Sequence, residues 1–123
     1  MSKLTYKETQ KIRRNVKRGA KILDKKYRKL TGSETPWYKV VDMAELQFCN
    51  NFKCVYGQLF DSCDNGLTKL GISAEADSGY KYGVCNSDYA CDLDDNSALS
   101  TAELEKMVEF WFEEILTRRR ATA

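Results

Sequence analysis

The chain has 123 residues, of which 42% are hydrophobic and 31% charged, a composition typical of a folded globule. This length allows one buried core and little more, so we expect a single domain over residues 1–123. Histidine is absent from the sequence. Its absence removes the commonest general base and excludes Ser-His-Asp and Cys-His catalysis. We therefore predict that the protein is not an enzyme.

The charge is unevenly distributed along the chain. The net charge is only +2, yet residues 1–30 carry 12 basic and 2 acidic side chains, while the remainder carries 8 and 16. Such asymmetry indicates a basic face for nucleic acid or another anionic surface. The alternative is a basic helix whose field is cancelled by a neighbouring acidic half. Since no apolar run could cross a bilayer or act as a secretory signal, we expect a cytoplasmic protein without membrane contact.

Residues 5–30 are predicted to form one long amphipathic helix. Their apolar residues recur every three or four positions and so share one face. Gly19 weakens a helix, and close packing against a neighbour is one reason for a glycine there. The apolar stripe comprises Ile12, Val16, Ala20, Leu23, Tyr27 and Leu30. The candidate nucleic-acid-binding residues on the other faces are Lys11, Arg14, Arg18, Lys21 and Lys25. A solvated basic face on a core helix is the alternative interpretation.

The middle of the chain is predicted to contain short elements. The apolar segment 37–41 is expected to be a short strand or an extended segment that anchors an aromatic pair in the core. Asp42 is then expected to cap a helical turn over 43–46. Residues 53–70 are predicted to form two short helices, because polar residues interrupt their apolar pattern. Residues 73–99 lose periodicity and are predicted to be a long irregular loop, where function is often found.

The clearest prediction is a C-terminal helix over 100–120. Ser100 and Glu103 have the spacing of a capping box at its start. The arginines 118–120 at its end are expected to interact with the helix dipole rather than with phosphate. The apolar stripe comprises Leu104, Met107, Val108, Trp111, Ile115 and Leu116. The sequence thus predicts a mainly α fold, with a long N-terminal helix, short central helices, an irregular loop, a C-terminal helix and at most a minor β element.

An acidic segment over residues 92–103 is similar to an EF-hand calcium loop. Oxygen-bearing side chains in that pattern surround a hard cation. Two features depart from it: Ser97 replaces the usual glycine, and residues 79–91 do not resemble an entering helix. An acidic segment that caps a helix without metal is the alternative. The candidate calcium ligands are Asp92, Asp94, Asn96, Ser100 and Glu103.

The five cysteines suggest a zinc site as a further candidate. Four of them, Cys49, Cys54, Cys85 and Cys91, could supply thiolates, although their spacing is wider than the usual C-x2-C pairs. Reduced structural thiols are the alternative, because Cys54 and Cys63 fit small apolar positions on a helix face. Disulfides are not expected, since the count is odd and the cytosol is reducing.

Several segments of the chain carry a resemblance to known sequences. They are residues 19–24, 42–46, 54–60, 66–67 and 70–72, followed by an aromatic-rich helix around Trp111. The most specific pattern, C-V-x-G-Q-L, lies in residues 54–60. These segments resemble small uncharacterised proteins encoded by phages of actinobacteria. The resemblance implies no catalytic motif and no assigned function. The chain departs from that class in its more basic N-terminal helix and in residues 85–99, which look like an insertion that contains most of the calcium-like loop.

These observations predict a small, non-catalytic interaction protein. We expect a phage-type accessory protein that binds a host or phage protein in the cytoplasm of a bacterial host. The first alternative is a nucleic-acid-binding module that uses the basic N-terminal helix. The second is a calcium- or zinc-binding domain, and no cofactor other than those metals is expected.

Overall fold

A computed structural model describes residues 5–47, 53–72, 80–84 and 101–122. These residues form five α-helices and two 3₁₀ turns, and no strand occurs among them. The predicted mainly helical fold, with a long helix near each end, is confirmed. The helices are α1 (Tyr6–Thr31), α2 (Trp37–Val40), α3 (Val55–Phe60), α4 (Cys63–Lys69) and α5 (Thr101–Ala121), and the turns are Met43–Glu45 and Tyr80–Tyr82.

Helix α1 begins and ends at well-formed caps. The Thr5 hydroxyl accepts a hydrogen bond from the Glu8 backbone N–H at 3.1 Å, and the Glu8 carboxylate accepts one from the Thr5 N–H. This pair satisfies two N–H groups that the first helical turn leaves free. At the other end, the left-handed Gly32 donates its N–H to the Arg28 carbonyl at 2.9 Å. The predicted apolar stripe is buried except for Leu30, which is 41% exposed because the last turn of α1 extends beyond the core.

Helix α5 packs along α1 and supplies a fully buried aromatic side chain. Trp111 is 0% exposed, and its ring meets those of Trp37 and Tyr56 edge to face. The predicted stripe on α5 is wrong at Leu116, which is 37% exposed. Five residues after Trp111, the helix has turned this side chain away from the core. Phe110 takes a place in the core instead, with the Arg13 guanidinium 4.4 Å from its ring centre.

Residues 37–40 form the helix α2 and Val41 ends it, so the strand or extended segment predicted over 37–41 is wrong. Trp37 and Val41 are both buried, whereas Lys39 and Val40 between them are exposed. Burial four residues apart is the spacing of one helical turn and does not match the alternation of a strand. The anchoring role predicted for this segment is confirmed, since the Trp37 ring lies against Trp111 with a centroid distance of 5.8 Å.

The two short helices predicted over 53–70 are confirmed as α3 and α4. Asp61, in the left-handed region at φ 73°, ends the first helix, and the Ser62 hydroxyl caps the second by accepting from the Asn65 N–H at 3.1 Å. The predicted cap at Asp42 is also confirmed, because its carboxylate accepts from the Ala44 N–H at 3.0 Å. One hydrophobic core joins side chains from all five helices. No helix in the described ranges is long and apolar enough to span a membrane.

Candidate functional site

A stripe of basic side chains runs along the face of α1 opposite its buried face. Its members are spaced alternately four and three residues apart, so they form one row along the helix. The row is about 32 Å long and places one cation about every 5 Å, because each helical residue adds about 1.5 Å. It comprises Lys7, Lys11, Arg14, Arg18, Lys21, Lys25 and Arg28.

The two acidic residues of α1 do not neutralise this stripe. Glu8 belongs to the N-terminal capping box. Asp24 faces α5 and α2, where it accepts from Arg118 at 2.8 Å and from the Trp37 indole N–H at 2.8 Å. Arg13, also on the side of α1 towards α5, pairs with Glu113 at 3.0 Å. Among the described residues, one basic side chain of α1, Arg13, is paired with an acid from the rest of the chain, and the wider cancellation of charge stays an alternative.

A groove of about 600 Å³ runs beside the stripe. No carboxylate occurs among the described residues that line it, and six of the eight are cationic. The cations are Arg14, Lys17, Arg18, Lys21, Lys25 and Lys26, and the other two lining residues are Ile22 and Tyr82. Cations this close together repel one another in the absence of a ligand, so the groove is an electrostatically favourable place for a polyanion.

The far wall of the groove is the segment 80–84, which two glycines bring against α1. A methyl group at Gly19 would overlap the Tyr82 carbonyl oxygen, and one at Gly83 would lie 2.6 Å from the Val16 Cα. Gly83 also has a φ of +78°, which favours glycine. The close packing expected at Gly19 is confirmed. The predicted irregular loop 73–99 thus contains a segment, 80–84, that begins with a 3₁₀ turn and packs on α1, and its residues 73–79 and 85–99 lie outside the described ranges.

Two hydrogen bonds fasten the same segment from either side. Arg18 donates from its guanidinium to the Lys81 carbonyl at 2.8 Å. Trp111 donates its indole N–H to the Gly83 carbonyl at 2.7 Å. Both acceptors are backbone carbonyls, so the bonds fix the path of the chain on either side of Tyr82. The Arg18 bond also orients one of the groove's cations while leaving that side chain exposed.

The structure brings most of the predicted nucleic-acid-binding residues together. Arg14, Arg18, Lys21 and Lys25 line the groove, whereas Lys11 lies on the stripe outside it. Sequence reasoning missed four lining residues. Two of them, Lys17 and Lys26, are cations next to stripe residues in the sequence and could have been found by extending the stripe. Ile22 lies outside the predicted apolar stripe, and Tyr82 lies in a stretch without periodicity. The four missed residues are Lys17, Ile22, Lys26 and Tyr82.

The arginines at the end of α5 have structural partners. Arg118 binds Asp24 through two of its nitrogens and also donates to Glu114 at 2.9 Å. The hydrogen bonds to Asp24, partly offset by burial, raise the pKa of Arg118 above its usual range. Arg119 donates to the Tyr38 carbonyl at 2.7 Å and to the Val41 carbonyl at 2.8 Å, which connects α5 to the end of α2. These contacts favour the structural interpretation of Arg118 and Arg119 over a phosphate site, whereas Arg120 is exposed.

Of the four predicted zinc ligands, the structure describes only Cys54. The other three, Cys49, Cys85 and Cys91, lie outside the described residues. Cys54 is 1% exposed, and its sulfur caps α3 by accepting from the Gly57 N–H at 3.3 Å. A hydrogen bond with the buried Cys63 lowers the pKa of Cys54, against the effect of burial. Both cysteines are buried reduced thiols, which is the structural role expected for them. Within the described ranges, no three His, Cys, Asp or Glu side chains are grouped to hold a metal.

The calcium-like loop lies almost entirely outside the described residues, which include none of Asp92, Asp94, Asn96 and Ser100. Glu103, the remaining candidate ligand, lies in the first turn of α5 and is half-buried. An acidic side chain there interacts favourably with the positive end of the helix dipole. Calcium binding and the capping box with Ser100 both stay predictions.

Comparison with known proteins adds no assignment to this geometry. The chain matches no protein-family model, no curated protein and no solved structure. The choice among candidate functions therefore depends on the chemistry of the groove.

Proposed function

We propose that the protein is a non-catalytic binding module that holds the phosphate backbone of a nucleic acid along the basic face of α1. The observation that supports this is the groove beside the stripe, whose described lining contains six cations and no carboxylate. Each of these cations can contact a phosphate and release the counterions condensed around it, which is the main source of non-specific affinity for nucleic acids.

The shape of the stripe favours a linear polyanion over a single small anion. A lone phosphate group needs only a few converging donors, whereas this row continues for about 32 Å along a straight helix. Backbone phosphates repeat regularly along a nucleic acid, so several cations of the row can be satisfied by one strand. Phosphate contacts of this kind position a ligand without reading its sequence. We therefore expect weak sequence preference and dissociation constants of about 1–100 µM at physiological salt.

The partner predicted first from the sequence, a host or phage protein, stays a prediction, as do the phage origin and the bacterial cytoplasm. A protein partner of this groove would need an acidic surface to complement the same cations. Nucleic acid is the better match because its negative charges are regular and closely spaced, while carboxylates on a folded protein are scattered. The assay below includes an acidic polypeptide so that the two partners give different results.

The test is a binding titration by fluorescence anisotropy with a labelled 20-nucleotide oligonucleotide. One variant combines Arg14→Glu, Lys21→Glu and Lys25→Glu, three exposed side chains on the groove. The matched control combines Lys39→Glu, Lys69→Glu and Arg120→Glu, which are exposed elsewhere and change the net charge equally. The groove variant should bind at least about 100-fold more weakly, and its salt dependence should flatten by about 0.7 in log–log slope for each lost contact with a single strand.

Three results would contradict the proposal. Equal losses in the groove variant and the matched control would show that only net charge matters. No measurable binding by the native protein at low salt would remove the function altogether. Tighter binding of labelled polyglutamate than of the oligonucleotide would assign the groove to an acidic protein partner.

A further inference from the structure

The groove contains an aromatic side chain among its cations. Tyr82 is half-buried and lines the groove opposite α1, with Ile22 as the one aliphatic residue in the described lining. Contacts to a phosphate backbone need cations and do not need an aromatic ring. An aromatic ring beside a row of cations is the arrangement by which proteins bind unpaired bases, because every base can stack on it.

The position of Tyr82 is set by the backbone on both sides. The Lys81 carbonyl accepts from Arg18 and the Gly83 carbonyl accepts from Trp111, at 2.8 and 2.7 Å. Close approach at Gly19 holds the Tyr82 carbonyl against α1. Because the backbone at Tyr82 is already fixed, less conformational entropy is lost when a ligand binds against its side chain.

We propose that the groove binds single-stranded nucleic acid, with one base stacked on the ring of Tyr82 and the adjoining phosphates on the cations of α1. This inference rests on the function proposed above and specifies the class of nucleic acid. In a duplex the bases are paired and stacked within the helix, so they present only their edges and the backbone to a protein. A groove of about 600 Å³ has the size of sites that enclose small ligands and accommodates an unstacked nucleotide, which a duplex cannot insert.

Electrostatics alone predicts the opposite preference, which makes the inference testable. A duplex carries one negative charge per about 1.7 Å of its axis, a higher density than a single strand, and a purely electrostatic site binds the duplex at least as tightly. The native protein should instead bind a labelled 12-nucleotide oligothymidine more tightly than a 12-base-pair duplex under the same salt conditions.

Two substitutions at Tyr82 separate stacking from packing. Tyr82→Leu keeps an apolar side chain against the core and removes the ring, and it should weaken oligothymidine binding about 5- to 100-fold. Tyr82→Phe keeps the ring and should retain affinity within about twofold, because stacking needs the ring face and not the hydroxyl. Duplex affinity should be unchanged in both variants. Circular dichroism and thermal unfolding identify any variant that fails to fold, and if Tyr82→Leu does so, the preference of the native protein for oligothymidine over the duplex carries the test.

The outcomes also separate this inference from the proposed function. If Tyr82→Leu folds and binds oligothymidine as tightly as the native protein, or if the duplex is the preferred ligand, stacking on Tyr82 is wrong. The triple groove variant tested on the same two probes then decides the remaining question. If that variant loses binding, the proposed function stands and only the inference about Tyr82 is wrong. If its binding is unchanged, both proposals are wrong.

Discussion

The two sides of α1 use charge in different ways. On the side that faces α5, Arg13 pairs with Glu113 and Asp24 pairs with Arg118, so each charge has an opposite partner. On the outer side, Arg14, Lys21 and Lys25 have no acidic partner among the described residues. The inner charges contribute to packing one helix against another. These three outer side chains make no such contact with the described residues, which leaves them available to a ligand, whereas Arg18 on the same stripe also holds the Lys81 carbonyl.

The difference predicts that substitutions on the two sides affect different measurements. Inner-side variants should lower the free energy of unfolding and affect binding only through the fold. Outer-side variants should lower affinity and leave stability nearly unchanged. The predictions below test this division in order of expected effect, beginning with the contact between α5 and the segment 80–84.

Replacement of Trp111 by alanine should destabilise the protein by about 4 kcal/mol. The indole is 0% exposed and packs against two other aromatic rings, and its N–H is the donor to the Gly83 carbonyl. Urea denaturation measures the loss. Trp111→Phe keeps an aromatic ring and should cost about 2 kcal/mol, most of it from the buried carbonyl left without its donor. Equal costs for the two variants would show that packing of the larger ring contributes little.

Replacement of Gly19 by alanine should cost about 2–3 kcal/mol, because the added methyl group overlaps the Tyr82 carbonyl and the segment must move. We expect oligothymidine affinity to fall as well, since the same movement displaces the Tyr82 ring. The control is Gly32→Ala, where nothing lies within 4 Å and the cost, about 1 kcal/mol, comes from the left-handed backbone alone. A Gly19→Ala protein with native stability would show that the segment 80–84 does not pack closely on α1.

Periodicity in the sequence was sufficient to predict the inner side. The apolar spacing of α1 located its buried face, and Gly19 indicated close packing before any neighbour was known. The neighbour could not be predicted, because the segment 80–84 is held by backbone carbonyls that leave no trace in residue type. The helical state of 37–40 was missed for a related reason. Four residues are too few to show a period, and the Trp37 indole finds its partner, Asp24, on another helix.

The outer side was predicted only in part. The spacing of the cations gave the stripe and four residues of the groove correctly. Tyr82 reaches the groove through contacts between the segment 80–84 and α1, which are far apart in sequence, and no local pattern encodes such contacts. The calcium and zinc candidates stay predictions, because Cys54 and Glu103 are the only members of their ligand sets that the structure describes.

The inner ion pairs should have a measurable but modest effect. Asp24→Asn should cost about 1 kcal/mol, since this carboxylate accepts from both Arg118 and Trp37 but its side chain is 40% exposed. The paired control Glu113→Gln should cost less than about 0.5 kcal/mol, because that ion pair is more exposed on both partners. Thermal unfolding at low and high salt checks both values. If the costs were equal, the contact of Asp24 with Arg118 would contribute no more to stability than the more exposed pair of Arg13 and Glu113.

The smallest change in stability is expected for substitutions on the outer side of α1. This result bears most directly on function. Lys21 and Lys25 are one helical turn apart and repel each other, so replacing both by glutamine should leave the unfolding free energy unchanged or raise it by about 0.2–0.5 kcal/mol. The gain should vanish in 1 M salt, where such repulsion is screened. The same variant should bind oligothymidine more weakly. Stability retained with affinity lost would show that these cations serve a ligand. A stability loss above about 1 kcal/mol would place them in the fold, and the division between the two sides of α1 would be wrong.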